Sequence, residues 1–161
     1  LVWMSGCGGR AEEAALNAEP HLLTQAECSV CGMYVHEQPS PRGQVAYRDG
    51  THAYTCSIEE LRAVMQTPSP HGQPIAAFVE DLPVDYELAV DLTSPLSWIR
   101  ADSAWYVFGA SRPLVMGKPV LSTASEAVAR SWGASLKTKP VRWSVLKTTP
   151  FSDVPREVTR E

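Results

Sequence analysis

The sequence predicts an α+β fold made of two tandem β-β-α-β units around one shared core. Three observations predict it. A hairpin signal runs through residues 44–56, a Ser/Thr-x-x-Glu capping box follows a strand pair at Ser57 and again at Thr123, and an apolar extended run follows each helix so opened.

In the first unit, Gln44-Val45-Ala46-Tyr47 alternates polar and apolar residues, and Arg48-Asp49-Gly50 supplies a turn with the Asp-Gly pair that tight hairpins favour. Thr51 to Cys56 is the returning strand. Ser57-Ile58-Glu59-Glu60 opens a short helix on which Ile58, Leu61 and Met65 share one face, and Thr67-Pro68-Ser69-Pro70 stops it. Ile75 to Val79 is the third strand. In the second unit, Ser103 to Gly109 is an aromatic-rich strand, 110–113 a turn, and Leu114 to Leu121 an extended run that Gly117 and Pro119 push toward an edge. Thr123-Ala124-Ser125-Glu126 opens a helix through Trp132 with Gly133 as its C-cap, and Val141 to Leu146 is the closing strand. Each unit alone is too small to bury a core, so the two are expected to share one. Residues 26–98 are expected to carry the first unit with its linker from Asp81 to Trp98, residues 99–150 the second, and 151–161 a disordered tail.

With 161 residues and 44% hydrophobic content, the chain has room for one compact domain or two halves sharing a core. A net charge of −4 leaves no basic footprint, so nucleic acid is not an expected partner. No run of 18 or more apolar residues is present. Serine-hydrolase elbows, paired histidines on a helix and phosphate-binding glycine loops are all absent, so an enzyme is not expected.

Leu1-Val2-Trp3-Met4-Ser5-Gly6-Cys7 has the form of the end of a bacterial lipoprotein signal, an apolar run and two small residues before the cysteine that is acylated. Residues 1–6 are then the remnant of a signal peptide, Cys7 the lipidation site, and 7–25 a flexible tether to the membrane, with the periplasm as compartment and the outer membrane as the expected place of anchoring. With Cys7 lipidated, Cys28, Cys31 and Cys56 remain. An odd number of thiols in an oxidising compartment leaves at least one unpaired within the monomer.

The strongest local signal is Cys28-Ser29-Val30-Cys31-Gly32-Met33, for which three readings compete. A thioredoxin-like dithiol opens a helix, whereas Gly32 to His36 reads as extended and Pro39 and Pro41 prevent a helix soon after. A structural zinc site needs two more ligands, which Cys56 with His36 or His52 can supply. The third reading pairs thiolate with thioether: soft sulfur selects Cu(I), and in an extended segment Cys31 and Met33 point to the same side. Met116, beside Gly117 and Pro119, is the second thioether candidate, whereas Met65 is assigned to packing. Cys56 sits just before a helix, where its thiolate is favoured; it is a ligand, a disulfide partner of Cys28 or a buried small residue. His36 and His52 are candidate imidazole ligands; His21 and His71 are not singled out.

These blocks resemble the NosL family of copper chaperone lipoproteins of nitrous oxide reductase maturation. The resemblance is carried by Glu27-Cys28-Ser29-Val30-Cys31-Gly32-Met33, by Pro39-Ser40-Pro41-Arg42-Gly43-Gln44, by Thr55-Cys56-Ser57, by Ala101 through Gly109, and by Met116-Gly117. It implies a periplasmic lipoprotein, two β-β-α-β halves like those of organomercurial lyase, Cu(I) bound through sulfur, and delivery to nitrous oxide reductase beside a membrane ABC-type complex. Residue by residue it points to Cys31, Met33 and Met116 as ligands, with Cys28 and Cys56 matching only some members. The chain departs from the family where Trp132-Gly133-Ala134 stands in place of a paired glycine, and in its longer segment near Asp81–Pro95.

Overall fold

A computed structural model describes residues 17–86, 96–110 and 119–148. The expectations placed on Cys7, on Met116, on the middle of the linker and on the C-terminal tail lie outside the described residues. The hairpin forms where the alternation and the Asp-Gly turn place it. Strand β1 (Gly43–Tyr47) pairs antiparallel with β2 (His52–Thr55), Val45 standing opposite Ala53. Gly50 closes the turn at φ +85°, in the left-handed region that glycine enters without penalty. Helix α1 (Ile58–Gln66) follows, its Ser57 cap accepting from the Glu60 N–H at 3.2 Å. Strand β3 (Pro74–Glu80) returns along the other side of β1, and β4 (Trp98–Arg100) adds outside β3, so the end of the segment read as a linker is a strand.

The second sheet holds β5 (Trp105–Phe108), β6 (Val120–Thr123) and β7 (Val141–Arg142), with helix α2 (Glu126–Leu136) between β6 and β7 and a single turn, α3 (Trp143–Leu146), after β7. All pairings are antiparallel, and the two sheets run β2-β1-β3-β4 and β6-β5-β7. The inner strands are β1 and β3 in the first sheet and β5 in the second. The sheets share a core: Val45 and Val79 of the first sheet and Leu61 of α1 pack with Tyr106 and Val120 of the second sheet and Leu146 of α3. Backbone and hydroxyl contacts join them at one corner, where Leu82 N–H donates to the Ser122 carbonyl (3.0 Å) and Ser122 Oγ donates to the Glu80 carbonyl (2.7 Å).

Three expectations need correction in the second unit. The cap of α2 is Ser125, which accepts from the Val128 N–H, whereas Thr123 is held in the β5–β6 ladder opposite Trp105. The helix runs past Gly133 to Leu136, and Lys137 caps it in the left-handed conformation (φ 53°). The predicted closing strand is two residues of β7 and a helical turn, which sends Trp143 and Leu146, three apart, into the core.

Gly133 is inside α2 because of contact, not conformation. A Cβ there would lie 2.7 Å from the Thr138 carbonyl oxygen and 3.0 Å from Pro140 Cδ, and the first of these is backbone that cannot rotate away. Gly133→Ala is therefore expected to destabilise the fold by about 1–3 kcal/mol despite alanine's better helix propensity. A lower urea midpoint at unchanged m-value is the check.

The N-terminal end of the described chain is held against the first sheet. The His21 N–H donates to Gln44 Oε1 (2.8 Å), Gln44 Nε2 returns a bond to the His21 carbonyl (3.1 Å), and the His21 ring stacks on His52 at 3.5 Å between centroids. Ala18 packs beside Ala46, Ala76 and Phe78 on that same outer layer. The last part of the segment read as a tether is thus docked at His21, which makes β1 a strand buried along its whole length.

Candidate metal centre

Two chain segments build the site. In the first, Cys28 to Met33 forms a tight loop. Cys28 N–H donates to the Met33 carbonyl and Gly32 N–H to the Cys28 carbonyl, both at 2.8 Å, with Gly32 at φ +74°. A Glu27–Tyr34 bridge closes the loop, and a Cys28–Tyr54 bridge with a Ser29 N–H bond to the Tyr54 carbonyl (2.8 Å) fastens it to β2. The expected extended run from Gly32 to His36 is replaced by this turn and by a 3₁₀ turn at Val35–Glu37. Carbonyls that a strand would leave for a neighbour are satisfied inside the loop instead. Cys31 consequently turns back toward Cys28. In the second segment, Cys56 is the first residue beyond β2, and Glu60 sits in the first turn of α1.

The Sγ atoms of Cys28, Cys31 and Cys56 and a carboxylate oxygen of Glu60 all lie within 4.8 Å of one another. Cys31 Sγ is 3.7 Å from Cys56 Sγ, and Cys28 Sγ is 3.4 Å from Glu60 Oε2. None of the three is in a disulfide. Cys28 and Cys56 are buried, whereas Cys31 is partly exposed at the mouth. Met33, Leu23 and Tyr54 pack around the cluster, over a fully buried Val35.

Glu60 is the candidate site residue that sequence reading missed. As the capping-box glutamate it is expected to reach back to the N–H of Ser57, but its Oε2 accepts from Cys56 N–H at 2.8 Å, one residue earlier, and meets Cys28 Sγ. Its Oε1 is buried and has no hydrogen-bond partner among the described residues. A buried oxygen left in that state carries a desolvation penalty that a cation or a proton would relieve.

Charge is distributed unevenly over the cluster. A hydrogen bond from the Cys56 thiol holds Cys28 down at about 4, well below an ordinary thiol, in spite of burial. Cys56, as the donor and beside that negative charge, is pushed far up, and burial raises Cys31. Burial, with Cys28 adding to it, lifts the Glu60 carboxyl to about 7. The expectation that the helix end makes Cys56 the thiolate is therefore corrected: the thiolate is Cys28, because one proton donor beats a helix dipole.

Of the other candidates, Met33 packs against the cluster, and Met65 lies against the main core as assigned. His36 stands beside Tyr34 and Glu37 and is not one of the four clustered residues. His52 is stacked on His21, with its Nε2 3.1 Å from the Glu19 carbonyl. Met116 and Cys7 lie outside the described residues. No helix among the described residues is long and apolar enough to cross a membrane.

Fold and cluster together define an α+β protein of two antiparallel sheets with a candidate soft-metal site of three sulfurs and one carboxylate. The chain belongs to the NosL family, whose model matches residues 19–149. It is 30% identical over 136 residues to the copper-binding lipoprotein NosL of Stutzerimonas stutzeri, an alignment covering 80% of this chain; the chain spans 65% of that protein's length. Its fold is similar to the crystal structure of the copper chaperone NosL from Shewanella denitrificans, with a TM-score of 0.64 at 21% identity, covering 84% of this chain and 98% of that one.

Proposed function

We propose that this protein is a periplasmic Cu(I) carrier, lipid-anchored through Cys7, that delivers copper to nitrous oxide reductase during its maturation beside a membrane ABC-type assembly complex. The observation that carries the reading is the gathering of three thiols within 4.8 Å of one another, with one of them reachable from outside. Cys28, Cys31 and Cys56 are the proposed ligands, with Met33 and Met116 as thioether donors and His36 as a further candidate. Such sulfurs favour Cu(I) over harder ions. Copper is cargo here: Cys31 at the mouth lets an incoming sulfur or imidazole of the recipient attack before the buried thiols let go, so the ion moves by ligand exchange. No reaction is catalysed on a bound substrate. A lipid anchor keeps the carrier near the membrane and raises its effective concentration there.

The test is a titration of the reduced protein with Cu(I) against a competing chelator. One ion bound more tightly than by the chelator is expected, and no competition sinks the reading. Because Cys31 and Cys56 are both held up as thiols, loading through them displaces their protons. Affinity is then expected to fall as pH is lowered from neutrality, by about tenfold per pH unit for each proton displaced.

A structural zinc site is the second reading, and Glu60 favours it. Three thiolates and a carboxylate make the four-donor set zinc takes when its site is closed.

A further inference from the structure

We infer that Cys31 and Cys56 form a reversible disulfide by exchange with an external disulfide, and that the bond and the metal exclude one another. The inference rests on the carrier reading for its metal half only. The Cys-x-x-Cys spacing suggests a different pair, Cys28 with Cys31, but the geometry does not favour it. Cys31 Sγ stands 3.7 Å from Cys56 Sγ at the open side of the cluster, whereas buried Cys28 is held between the Cys56 thiol and Glu60 Oε2. Access separates the three sulfurs further. Cys31 is partly exposed and the other two are buried, so an incoming disulfide meets Cys31 first. Closing the remaining distance asks for a small movement of the loop tip. Gly32, next to Cys31, has open space around it, and a Cβ built there would touch nothing within 4 Å.

The exchange balances without another reagent. Cys31, on losing its proton, attacks one sulfur of a protein or low-mass disulfide, giving a mixed disulfide and expelling the other donor sulfur, which takes up a proton. Cys56 then gives up its proton, attacks Cys31 Sγ, forms the internal bond and expels the second donor sulfur. Both cysteine protons end on the donor, which is reduced by two electrons while the pair is oxidised by two. The product has lost two of its three thiolate donors, and Cys28 with Glu60 remains. A metal held by Cys31 and Cys56 occupies the same sulfur lone pairs, so loading protects the pair from exchange and oxidation closes the site. Loading then requires a thiol reductant in the same compartment, and a carrier that has delivered its ion becomes open to oxidation.

The probe is oxidised glutathione, applied to the metal-free and to the Cu(I)-loaded protein, with peptide mapping of the cross-links. In the metal-free protein a Cys31–Cys56 cross-link is expected, and it persists in Cys28→Ser and in Cys28→Ala. Loaded protein is expected to react about tenfold or more slowly. Oxidised protein is expected to bind Cu(I) about a hundredfold or more weakly, with recovery on adding dithiothreitol. A cross-link through Cys28, a lasting glutathione adduct on Cys31, or Cu(I) affinity unchanged by oxidation overturns the inference. The arm without oxidant tests the carrier reading separately: failure of the reduced protein to bind Cu(I) overturns that reading and the metal half of this one.

Discussion

Glu80→Ala is expected to cost about 3–5 kcal/mol of folding stability, because it removes the carboxylate with which a buried guanidinium is paired. Arg42 and Glu80 have side chains 1% and 0% exposed. Arg42 Nε donates to Glu80 Oε2 at 2.9 Å, its second amino group to Oε1, and its backbone N–H to Oε2 at 2.8 Å. A loss of that size is a large share of the 5–15 kcal/mol that holds a typical domain together. Arg42→Met combined with Glu80→Leu is expected to be less destabilised than either single change, since it removes both charges and keeps the volume. Urea unfolding of the three variants measures the order. A cost under about 1 kcal/mol for Glu80→Ala would mean that water or another group solvates Arg42.

The pair also reaches the site. The remaining arm of Arg42 donates to the carbonyls of His36 and Gln38, at 3.2 and 3.4 Å, so β3 holds the turn that directly follows the thiol loop. Glu80→Ala should therefore loosen Cys31 and Met33 before it unfolds the sheets. Greater amide exchange at 28–38 than in β5 and β6 is the expected signature.

What was legible in the sequence follows from how local each signal is. Gln44–Tyr47 with Asp49-Gly50 gave a hairpin because alternation and turn chemistry agree within a dozen residues. Ser57 was legible as a cap for the same reason. Thr123 was not, because a pairing with Trp105 took it into a strand, and the next free hydroxyl, Ser125, became the cap. Val141 to Leu146 is too short for its period to separate strand from helix, and contact of Trp143 and Leu146 with the shared core decided it. The three cysteines were visible as soft donors. Their meeting was not, since it depends on the bridge from Cys28 to Tyr54, which brings the loop beside the end of β2. Glu60 was hidden in another way: a capping box already accounted for it, and nothing local says that the carboxylate passes Ser57 and stops at Cys56.

That carboxylate allows the metal class to be decided by paired substitutions. Cys56→Ser is expected to weaken Cu(I) binding by about a hundredfold or more, since a hydroxyl is a poor ligand for a soft monovalent ion. Glu60→Gln is expected to change Cu(I) affinity by less than about tenfold, because three sulfurs satisfy Cu(I) without an oxygen. Zinc should show another pattern. Its four-coordinate set at this site includes Glu60 along with Cys28, Cys31 and Cys56, so Glu60→Gln should weaken zinc about as much as Cys56→Ser does. Glu60 Oε2 also accepts the Cys56 N–H and stands beside Cys28 Sγ, and glutamine keeps an acceptor oxygen for that N–H at nearly the same volume, so the comparison tests charge and ligation with the packing nearly unchanged. Competition titrations of both variants with each metal give four affinities. If Glu60→Gln abolishes Cu(I) binding while Cys56→Ser leaves it intact, the carboxylate and not the sulfur holds the ion, and the site is not one for copper in its reduced state.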